Sequence, residues 1–531
     1  MKKIIFALIA TLMSFNSMAE VTYQVIPLPQ SIKLDPSGKS AQLIKGQVVS
    51  YPADNAMMKR NAQFAQEFLG LTPQAAAKKV KTPVNLTLGL QSENPDAYQI
   101  TIDKKGITIQ GASESGVFYG IQTLRKSVAL EEGDTISLPF ATIIGEPRFQ
   151  YRGTMLDCAR HFFPVTFIKE FIDILALHGV NKFHWHLTDD QGWRFEVKAL
   201  PELAKKGSYR PYTIIGSNVG LGQGDPIWDD TPEEGYYTQA ELREIVQYAQ
   251  ERFITIIPEI DLPGHMVAAL SVYPNLGCTG GPYFVRPYWG VDPDVLCAGN
   301  PETLKFIHTV LGELCEVFPS KYIHVGGDES PRDRWKKCEK CQNKKKELQL
   351  DNEAQLQTYI LKDVEKFLSQ HGRELIGWDE ILEGGLSEGA TVMSWRGYKG
   401  GITAARLHHR VIMTPTDNCY IDYYQLKNQR AQPHAIGGYL PLSKVYAMEP
   451  IPSDLTEEEG KFILGAQCNL WTEYVLSPKH AEYMLLPRLD AMCEVQWLQP
   501  DQKNFEAFTT RLADMEKLYK KLGYSYCTAY E

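Results

Sequence analysis

From Tyr151 onward, short apolar runs alternate with longer stretches whose apolar residues recur at helical spacing. Continuous short apolar runs are typical of strands that are buried on both faces. The helical stretches include "VTFIKEFIDILALHG", "TQAELREIVQYAQERF" and "EAQLQTYILKDVEKFLSQHG", the last ending at Gly372, a residue type that often follows a helix. The eight runs predicted as strands are "YRGTMLD", "KFHWHL", "ITIIPEI", "KYIHVGG", "ELIGW", "TVMSW", "RVIMT" and "FILGAQ". Eight strands with intervening helices predict an α/β fold of the (β/α)8 barrel type.

The chain before this region has a different pattern and carries no tight cluster of residues suited to catalysis. The segments "VNLTLGL" and "YQITIDKKGITIQG" alternate apolar and polar residues like half-buried strands, whereas "SGVFYGIQTLRKSVAL" has helical spacing. We therefore predict a smaller non-catalytic α/β domain at residues 20–147 and a (β/α)8 catalytic domain at residues 148–531.

Residues 1–19 have the pattern of a bacterial-type signal peptide. Lys2 and Lys3 precede an apolar stretch that is short for a membrane span, and "SMA" ends at Ala19 as a small-x-small cleavage site. No Cys follows this site, which argues against a lipid anchor. We therefore expect export to the periplasm or the medium, with no membrane insertion after the signal is removed.

Composition restricts the class of partner. The net charge of −9 and the lack of a long basic run argue against nucleic acid, and 44% hydrophobic residues provide for a substantial core. Of the ten cysteines, Cys278 and Cys297 flank a Gly/Pro/Tyr-rich loop and are predicted to form a disulfide. Cys338 and Cys341 form "CEKC", but no second C-x-x-C motif follows. A local disulfide or free thiols are therefore favoured there over zinc.

The barrel prediction places function at the carboxyl ends of the strands. Polar and aromatic residues follow every predicted strand, and this combination is typical of a sugar site, because aromatic faces stack on a pyranose while charged groups bind its hydroxyls. In chain order these residues are Asp157 and Arg160, "HLTDDQGWR", Glu259 with Asp261 and His265, Asp328 with Glu329, Trp378, Trp395, "NCYIDYY" and "NLWTEY".

Two adjacent carboxylates, Asp328 and Glu329, end the apolar run "KYIHVGG". Glycoside hydrolysis needs a proton donor on one side of the scissile bond and a nucleophile or base on the other. Neighbouring residues are poorly placed on opposite sides of one bond, so we expect these two side chains to diverge from a turn and to act on different parts of a substrate.

The stretch "HVGGDE" resembles the signature of family 20 glycoside hydrolases, the β-N-acetylhexosaminidases. The resemblance extends in the family's order from residue 150 to about residue 500, through "LDCARHFFP", "KFHWHLTDDQGWR", "IIPEIDLPGH", "IGWDEIL", "VMSWRG", "CYIDYYQ" and "NLWTEY". It implies an exo-acting retaining enzyme that removes terminal non-reducing N-acetylglucosamine or N-acetylgalactosamine from glycans. The 2-acetamido group of the substrate would be the nucleophile, an oxazolinium ion the intermediate, and no cofactor or metal would be needed.

The resemblance also implies roles for individual residues. Glu329 would be the general acid and then the general base, Asp328 would orient and stabilise the acetamido group, and Tyr420 would hold the acetamido oxygen. We expect burial and the charge of Asp328 to raise the pKa of Glu329. The substrate-binding residues would be Trp378, Trp395 and Trp471 as pocket walls, Arg160, Asp422 and Glu473 as ligands of ring hydroxyls, and Asp189 with His265 as the pair that tunes Glu329.

Two other classes of function remain open at this point. His184 and His186 lie on one side of a strand, as in metal-dependent hydrolases, which would need further ligands such as His265 and His324. That hypothesis leaves the tryptophans and "GGDE" unexplained, so packed and hydrogen-bonded histidines are favoured. A carbohydrate-binding protein without catalysis would keep the aromatic residues and lose the acid, whereas Glu329 is present.

Overall fold

The computed structural model describes residues 21–76, 83–216 and 226–531. The predicted signal peptide lies outside these ranges, as do residues 217–225. Within the described ranges, no helix combines the length and the apolar character that a membrane crossing requires.

The N-terminal unit is built on a seven-stranded sheet with the strand order β1-β9-β6-β7-β5-β3-β4, beside a two-stranded sheet of β2 and β8. The helices α1 and α2 pack on each other and on strands of the large sheet. The predicted strands and helix of this region are present. The elements are β1 (Ser31–Leu34), β2 (Ser40–Ile44), β3 (Val48–Pro52), α1 (Ala56–Leu69), β4 (Thr72–Ala76), β5 (Val84–Leu88), β6 (Tyr98–Asp103), β7 (Gly106–Gly111), α2 (Glu114–Val128), β8 (Thr135–Pro139) and β9 (Ala141–Gly145).

The second unit is a closed barrel of eight parallel strands, which confirms the predicted fold class. Each of the eight predicted apolar runs overlaps one barrel strand, and β19 extends three residues beyond the run "FILGAQ". The strands are β10 (Tyr151–Asp157), β11 (Lys182–His186), β14 (Thr255–Glu259), β15 (Tyr322–His324), β16 (Glu374–Trp378), β17 (Thr391–Ser394), β18 (Val411–Met413) and β19 (Ile463–Leu470), with a small hairpin of β12 (Thr188–Asp189) and β13 (Gly192–Trp193) between β11 and β14.

Helices connect and cover the barrel strands. Their sequence signals include a capping box at Thr238 and Glu241, and a left-handed Gly372 (φ 67°) just after the helix that ends at Gln370. The helices are α3 (Val165–Leu177), α4 (Pro201–Gly207), α5 (Gln239–Gln250), α6 (Val267–Val272), α7 (Pro301–Val317), α8 (Asp333–Lys337), α9 (Glu339–Glu347), α10 (Ala354–Gln370), α11 (Lys399–Arg406), α12 (Thr416–Cys419), α13 (Leu442–Tyr446), α14 (Glu457–Gly460), α15 (Pro478–Leu485), α16 (Arg488–Trp497) and α17 (Phe505–Leu522). Short 3₁₀ turns occupy Pro274–Leu276, Asp379–Leu382, Gln429–Ala431 and Pro500–Gln502.

A buried ion pair joins the two units. Arg152 on β10 donates from Nη2 to Asp96 Oδ2 at 2.7 Å and to the Tyr119 hydroxyl at 3.1 Å. The guanidinium also lies 5.2 Å from the Trp497 ring. Burial raises the pKa of Asp96, but the charge of Arg152 and the hydrogen bonds from Ser115 and Arg152 together lower it below its usual value. The pair therefore stays charged near neutral pH and fixes β10 against the N-terminal sheet.

The barrel register brings functional side chains to one level. Asp157 pairs with His186, His186 with Glu259, and Glu259 with His324 across successive strands. Because the strands are parallel, the segments that follow these residues all leave from the same end of the barrel.

The predicted Cys278–Cys297 disulfide is wrong. All ten cysteines are unpaired, and the Cys278 sulfur lies 3.8 Å from that of Cys341 on α9. The loop ends meet a third segment of the chain, which sequence spacing did not reveal.

Candidate active site

The turn after β15 carries the two adjacent carboxylates. Gly326, Gly327 and Glu329 have φ values of 65°, 95° and 40°. A β-carbon at Gly326 would overlap the carboxylate of Asp261, whose Oδ1 accepts a hydrogen bond from the Gly327 N–H at 3.2 Å. The glycines are therefore needed for a close approach, and Glu329 occupies a left-handed conformation that is strained for a side chain of its kind.

The side chains of Asp328 and Glu329 differ in exposure, although both lie within 4 Å of His265 Nε2. The Asp328 side chain is 12% exposed, whereas that of Glu329 is 42% exposed and faces the opening. Within the described residues, Asp328 Oδ1 is buried and accepts no hydrogen bond. A buried acceptor without a donor is costly, so this oxygen is suited to a donor supplied by a ligand.

His265 links the carboxylates to Asp189. Its Nδ1 lies 3.2 Å from Asp189 Oδ1, and its Nε2 lies 3.6 Å from Glu329 Oε2 and 3.8 Å from Asp328 Oδ2. Burial lowers the pKa of His265, but the charge of Asp189 and the hydrogen bonds to neighbouring carboxylates together raise it well above its usual value. The structure thus brings together the predicted pair Asp189 and His265 and sets the imidazolium against Glu329.

This imidazolium corrects the expectation for the acid. The pKa of Glu329 is lowered rather than raised, first because of its hydrogen bond to His265 and in spite of burial. Burial and the neighbouring carboxylates raise the pKa of Asp328, and burial with the charge of Asp328 raises that of Asp261 well above its usual value. Both carboxyl groups therefore keep a proton to higher pH than an ordinary aspartate, whereas Glu329 loses its proton at lower pH than usual.

Arg160 lies at the centre of a second charged group. Its Nη2 is 2.9 Å from Asp189 Oδ2, its Nη1 is 3.1 Å from Asp157 Oδ2, and its Nε donates to Gln191 Oε1 at 3.0 Å. The guanidinium also lies 5.0 Å from the ring centroid of Trp471. This arrangement fixes the arginine as a permanent cation at the rim.

The loop after β18 places two predicted residues beside the end of β19. Tyr420 forms a bridge with Asn469, and the adjacent loop positions Asp422 next to Glu473. Burial and then the charge of Glu473 raise the pKa of Asp422 well above its usual value. Asp422 Oδ1 is also a buried acceptor without a hydrogen bond in the described part of the chain.

The predicted aromatic residues form one wall. The rings of Trp395 and Tyr420 are stacked with centroids 6.1 Å apart, those of Tyr420 and Trp471 are 6.4 Å apart, and those of Trp378 and Trp471 are 5.9 Å apart. Burial, with the charge of Asp422, raises the pKa of Tyr420 well above its usual value, so its hydroxyl remains a proton donor.

All eleven predicted site residues therefore lie at the same end of the barrel, in contact with one another or separated by one neighbour. The chain segments involved are the ends of β10, β11, β14, β15, β16, β17 and β19 and the loop after β18. The residues are Arg160, Asp189, His265, Asp328, Glu329, Trp378, Trp395, Tyr420, Asp422, Trp471 and Glu473.

Sequence reasoning assigned no role to two acidic residues of the site. Glu380 follows Trp378 in "WDE" and accepts from the Trp395 indole N–H at 2.9 Å, and burial with the charge of Asp328 raises its pKa to about 8. Glu259 lies inside the barrel and accepts from the Trp378 indole N–H at 2.9 Å. A buried "PE" at a strand end and the acid in "WDE" were the available signals.

Glu259 also explains the barrel histidines. His184 and His324 have ring nitrogens 3.0 and 2.9 Å from its carboxylate, and His186 contacts it as well. Burial lowers the pKa of His184 to about 4, whereas Glu259 and Asp189 raise that of His186 well above its usual value despite burial. His186 thus provides positive charge to a buried carboxylate beneath the site, and His184 and His324 contact it as packed residues.

The comparisons with known proteins agree with this geometry. The model of the family described as glycosyl hydrolase family 20, catalytic domain, matches residues 149–500, and that of its domain 2 matches residues 22–143. A β-hexosaminidase of Porphyromonas gingivalis is 46% identical over 81% of this chain and 54% of its own length, and one of Akkermansia muciniphila is 31% identical over 86% and 91%.

A mutant Streptomyces plicatus β-hexosaminidase, solved in complex with its product GlcNAc, superposes with a TM-score of 0.81 at 27% identity. The superposition covers 96% of this chain and 97% of that one. The chain spans about half the length of the Porphyromonas relative (54%). The family model nevertheless covers the barrel and every site residue described above, and the chain therefore belongs to glycosyl hydrolase family 20.

Proposed function

We propose that the protein is an exo-acting, retaining β-N-acetylhexosaminidase that releases terminal N-acetylglucosamine or N-acetylgalactosamine from glycans. The observation that carries this proposal is the contrast between the exposed Glu329 and the buried Asp328. Glu329 is open to the pocket, and Asp328 presents a buried acceptor without a donor. The GlcNAc product of the Streptomyces relative is of the same substrate class. The catalytic residues all belong to residues 148–531, and residues 20–147 form a non-catalytic domain.

In the first step, Glu329 would donate its proton to the glycosidic oxygen while the bond from that oxygen to C1 breaks. The acetamido oxygen of the substrate then bonds to C1 and forms an oxazolinium ion. Asp328 Oδ1 accepts the acetamido N–H and stabilises its positive charge, and the Tyr420 hydroxyl donates to the acetamido oxygen. These groups hold the acetamide bent beneath C1.

In the second step, Glu329 would remove a proton from water as the water oxygen bonds to C1 and the ring of the intermediate opens. Two displacements at C1 retain its configuration. Arg160, Asp422 and Glu473 would bind the ring hydroxyls of a terminal sugar at the closed end of the pocket, which accounts for exo action.

Substrate binding would also prepare the acid. Glu329 is 42% exposed and paired with His265 in the free protein, which favours its charged form. A sugar that covers this side chain removes water from it, and desolvation raises the pKa of a carboxylate. Covering Glu329 in this way would favour its protonated form, and the acetamido N–H would favour the charged form of Asp328.

Replacing the general acid should lower kcat/KM by an amount that depends on the leaving group of the substrate. Glu329→Gln should lower kcat/KM on N,N′-diacetylchitobiose by about 10²–10⁴-fold. The loss on the 2,4-dinitrophenyl glycoside should be much smaller, because that leaving group departs without a proton. Steady-state kinetics of both substrates measure the difference. The exposed Glu458→Gln is the control, and equal losses on the two substrates would remove Glu329 from the acid role.

Removing the imidazolium should move the pH profile. In His265→Gln the cation that lowers the pKa of Glu329 and of Asp328 is gone, so both carboxylates hold their protons to higher pH. Both limbs of the profile of kcat/KM should shift upward by about one pH unit. His308→Gln, a change at the histidine paired with Asp363 on α10, should leave the profile in place. If the His265→Gln enzyme is slower but its pH profile does not shift, His265 has only a structural role.

We further propose that the protein is periplasmic or secreted, because residues 1–19 have the charged, apolar and small-residue segments of a signal peptide. The mature protein should begin at Glu20. N-terminal sequencing of the protein from its native host measures this, and a chain that retains Met1 in the cytoplasmic fraction would contradict export.

A further inference from the structure

Four cysteines from three segments meet beside the barrel. The Cys297 sulfur lies 3.6 Å from that of Cys341 and 3.7 Å from that of Cys338, and the Cys278 sulfur lies 3.8 Å from that of Cys341. The four sulfurs all lie within 4.8 Å of one another. The other six cysteines of the chain take no part in this group.

These separations match a tetrahedral metal site. Zinc binds thiolates at about 2.3 Å, so the sulfurs at the corners of its tetrahedron lie about 3.8 Å apart. Sulfurs in a disulfide are only about 2.05 Å apart. The Cys297 sulfur lies at nearly equal distances from two other sulfurs, as expected for one corner of a tetrahedron. It is not paired with a single partner, as it would be in a disulfide.

Two local structures position the four cysteines: the start of α9 and the bridge between Gly277 and Leu296. Cys338 is the N-cap of α9 and Cys341 lies in its first turn, where the helix dipole favours thiolates. Cys278 and Cys297 each adjoin one residue of the bridge between Gly277 and Leu296. A β-carbon at Gly299 would overlap the carbonyl of Lys340, so the backbone of α9 is seated directly on the segment after Cys297.

Burial and charge suit a metal with four thiolates. Cys297 and Cys341 are fully buried, which shields the sulfurs from solvent. Zinc with four thiolates carries a net charge of about −2. Residues 332–346 contain eight basic and two acidic side chains, so the surrounding segment is strongly positive. The lysines of α9, which have no part in the sugar site, contribute to this positive charge.

We infer that Cys278, Cys297, Cys338 and Cys341 form a structural tetrathiolate site for Zn²⁺. The metal takes the place of the disulfide expected from the sequence, and Cys278 and Cys297 supply the two further ligands that the motif "CEKC" lacks. This site is separate from the sugar pocket and does not depend on the proposed glycosidase activity.

The site would hold the loop 279–296 against the wall of the pocket. In this loop the Arg286 N–H donates to the Asp190 carbonyl at 3.0 Å, and the Tyr288 carbonyl accepts from Gln191 Nε2 at 3.0 Å. Gln191 in turn accepts from Arg160 Nε. A metal that fixes both ends of the loop therefore supports the arginine at the rim of the pocket.

The direct test is the metal and thiol content of the full chain, purified without chelators. Elemental analysis by inductively coupled plasma mass spectrometry should find about one zinc per chain, and alkylation after unfolding should modify all ten cysteines. A chain without zinc after incubation with zinc salt, or one whose mass shows disulfides among these four cysteines, would overturn the inference.

Variants assign the zinc to these residues. Cys341→Ser should reduce zinc content by about tenfold or more, whereas Cys315→Ser, a change at a buried cysteine of α7 outside the group, should retain it. If Cys341→Ser does not fold, Gly299→Ala provides a milder displacement of α9 and should weaken zinc retention during titration with a chelator.

A second measurement needs no variant. Chelation should lower the melting temperature of the wild-type protein, and zinc rather than magnesium should restore it. Zinc that stays bound in Cys341→Ser, or a melting temperature that does not respond to loss of the metal, would contradict a structural site at these cysteines.

Discussion

The structure depends above all on the neutralisation of carboxylates buried at one end of the barrel. Asp157, Asp189, Glu259, Asp261 and Asp328 are removed from solvent within a few residues of strand ends. Buried charges are costly unless they are paired. Arg160, His186 and His265 provide positive charge, and burial raises the pKa of both Asp261 and Asp328.

This balance determines what the two adjacent carboxylates can do. His265 favours the charged form of Glu329, and burial favours the neutral form of Asp328, which is the reverse of their states in the proposed reaction. In the proposed reaction, a substrate that covers Glu329 and donates an N–H to Asp328 would reverse both preferences.

Much of this could be predicted from the chain. Every barrel strand lies in a short apolar run, and the residues after each run reach the same rim because the strands are parallel. The sign of the pKa shift of Glu329 could not be predicted, because it depends on the position of His265, which comes from another strand end. The four-cysteine group was missed for the same reason: Cys278 and Cys297 meet Cys338 and Cys341 only after the loop packs on α9.

The central claim is that the substrate's acetamido oxygen, and not a residue of the protein, attacks C1. Fluorine on the acetyl group withdraws electrons and weakens that oxygen as a nucleophile while leaving the rest of the sugar unchanged. A series of aryl glycosides from N-acetyl to N-trifluoroacetyl should therefore show kcat/KM falling steadily with each fluorine. Equal kcat/KM across the series would contradict the account, because it would place the nucleophile on the protein.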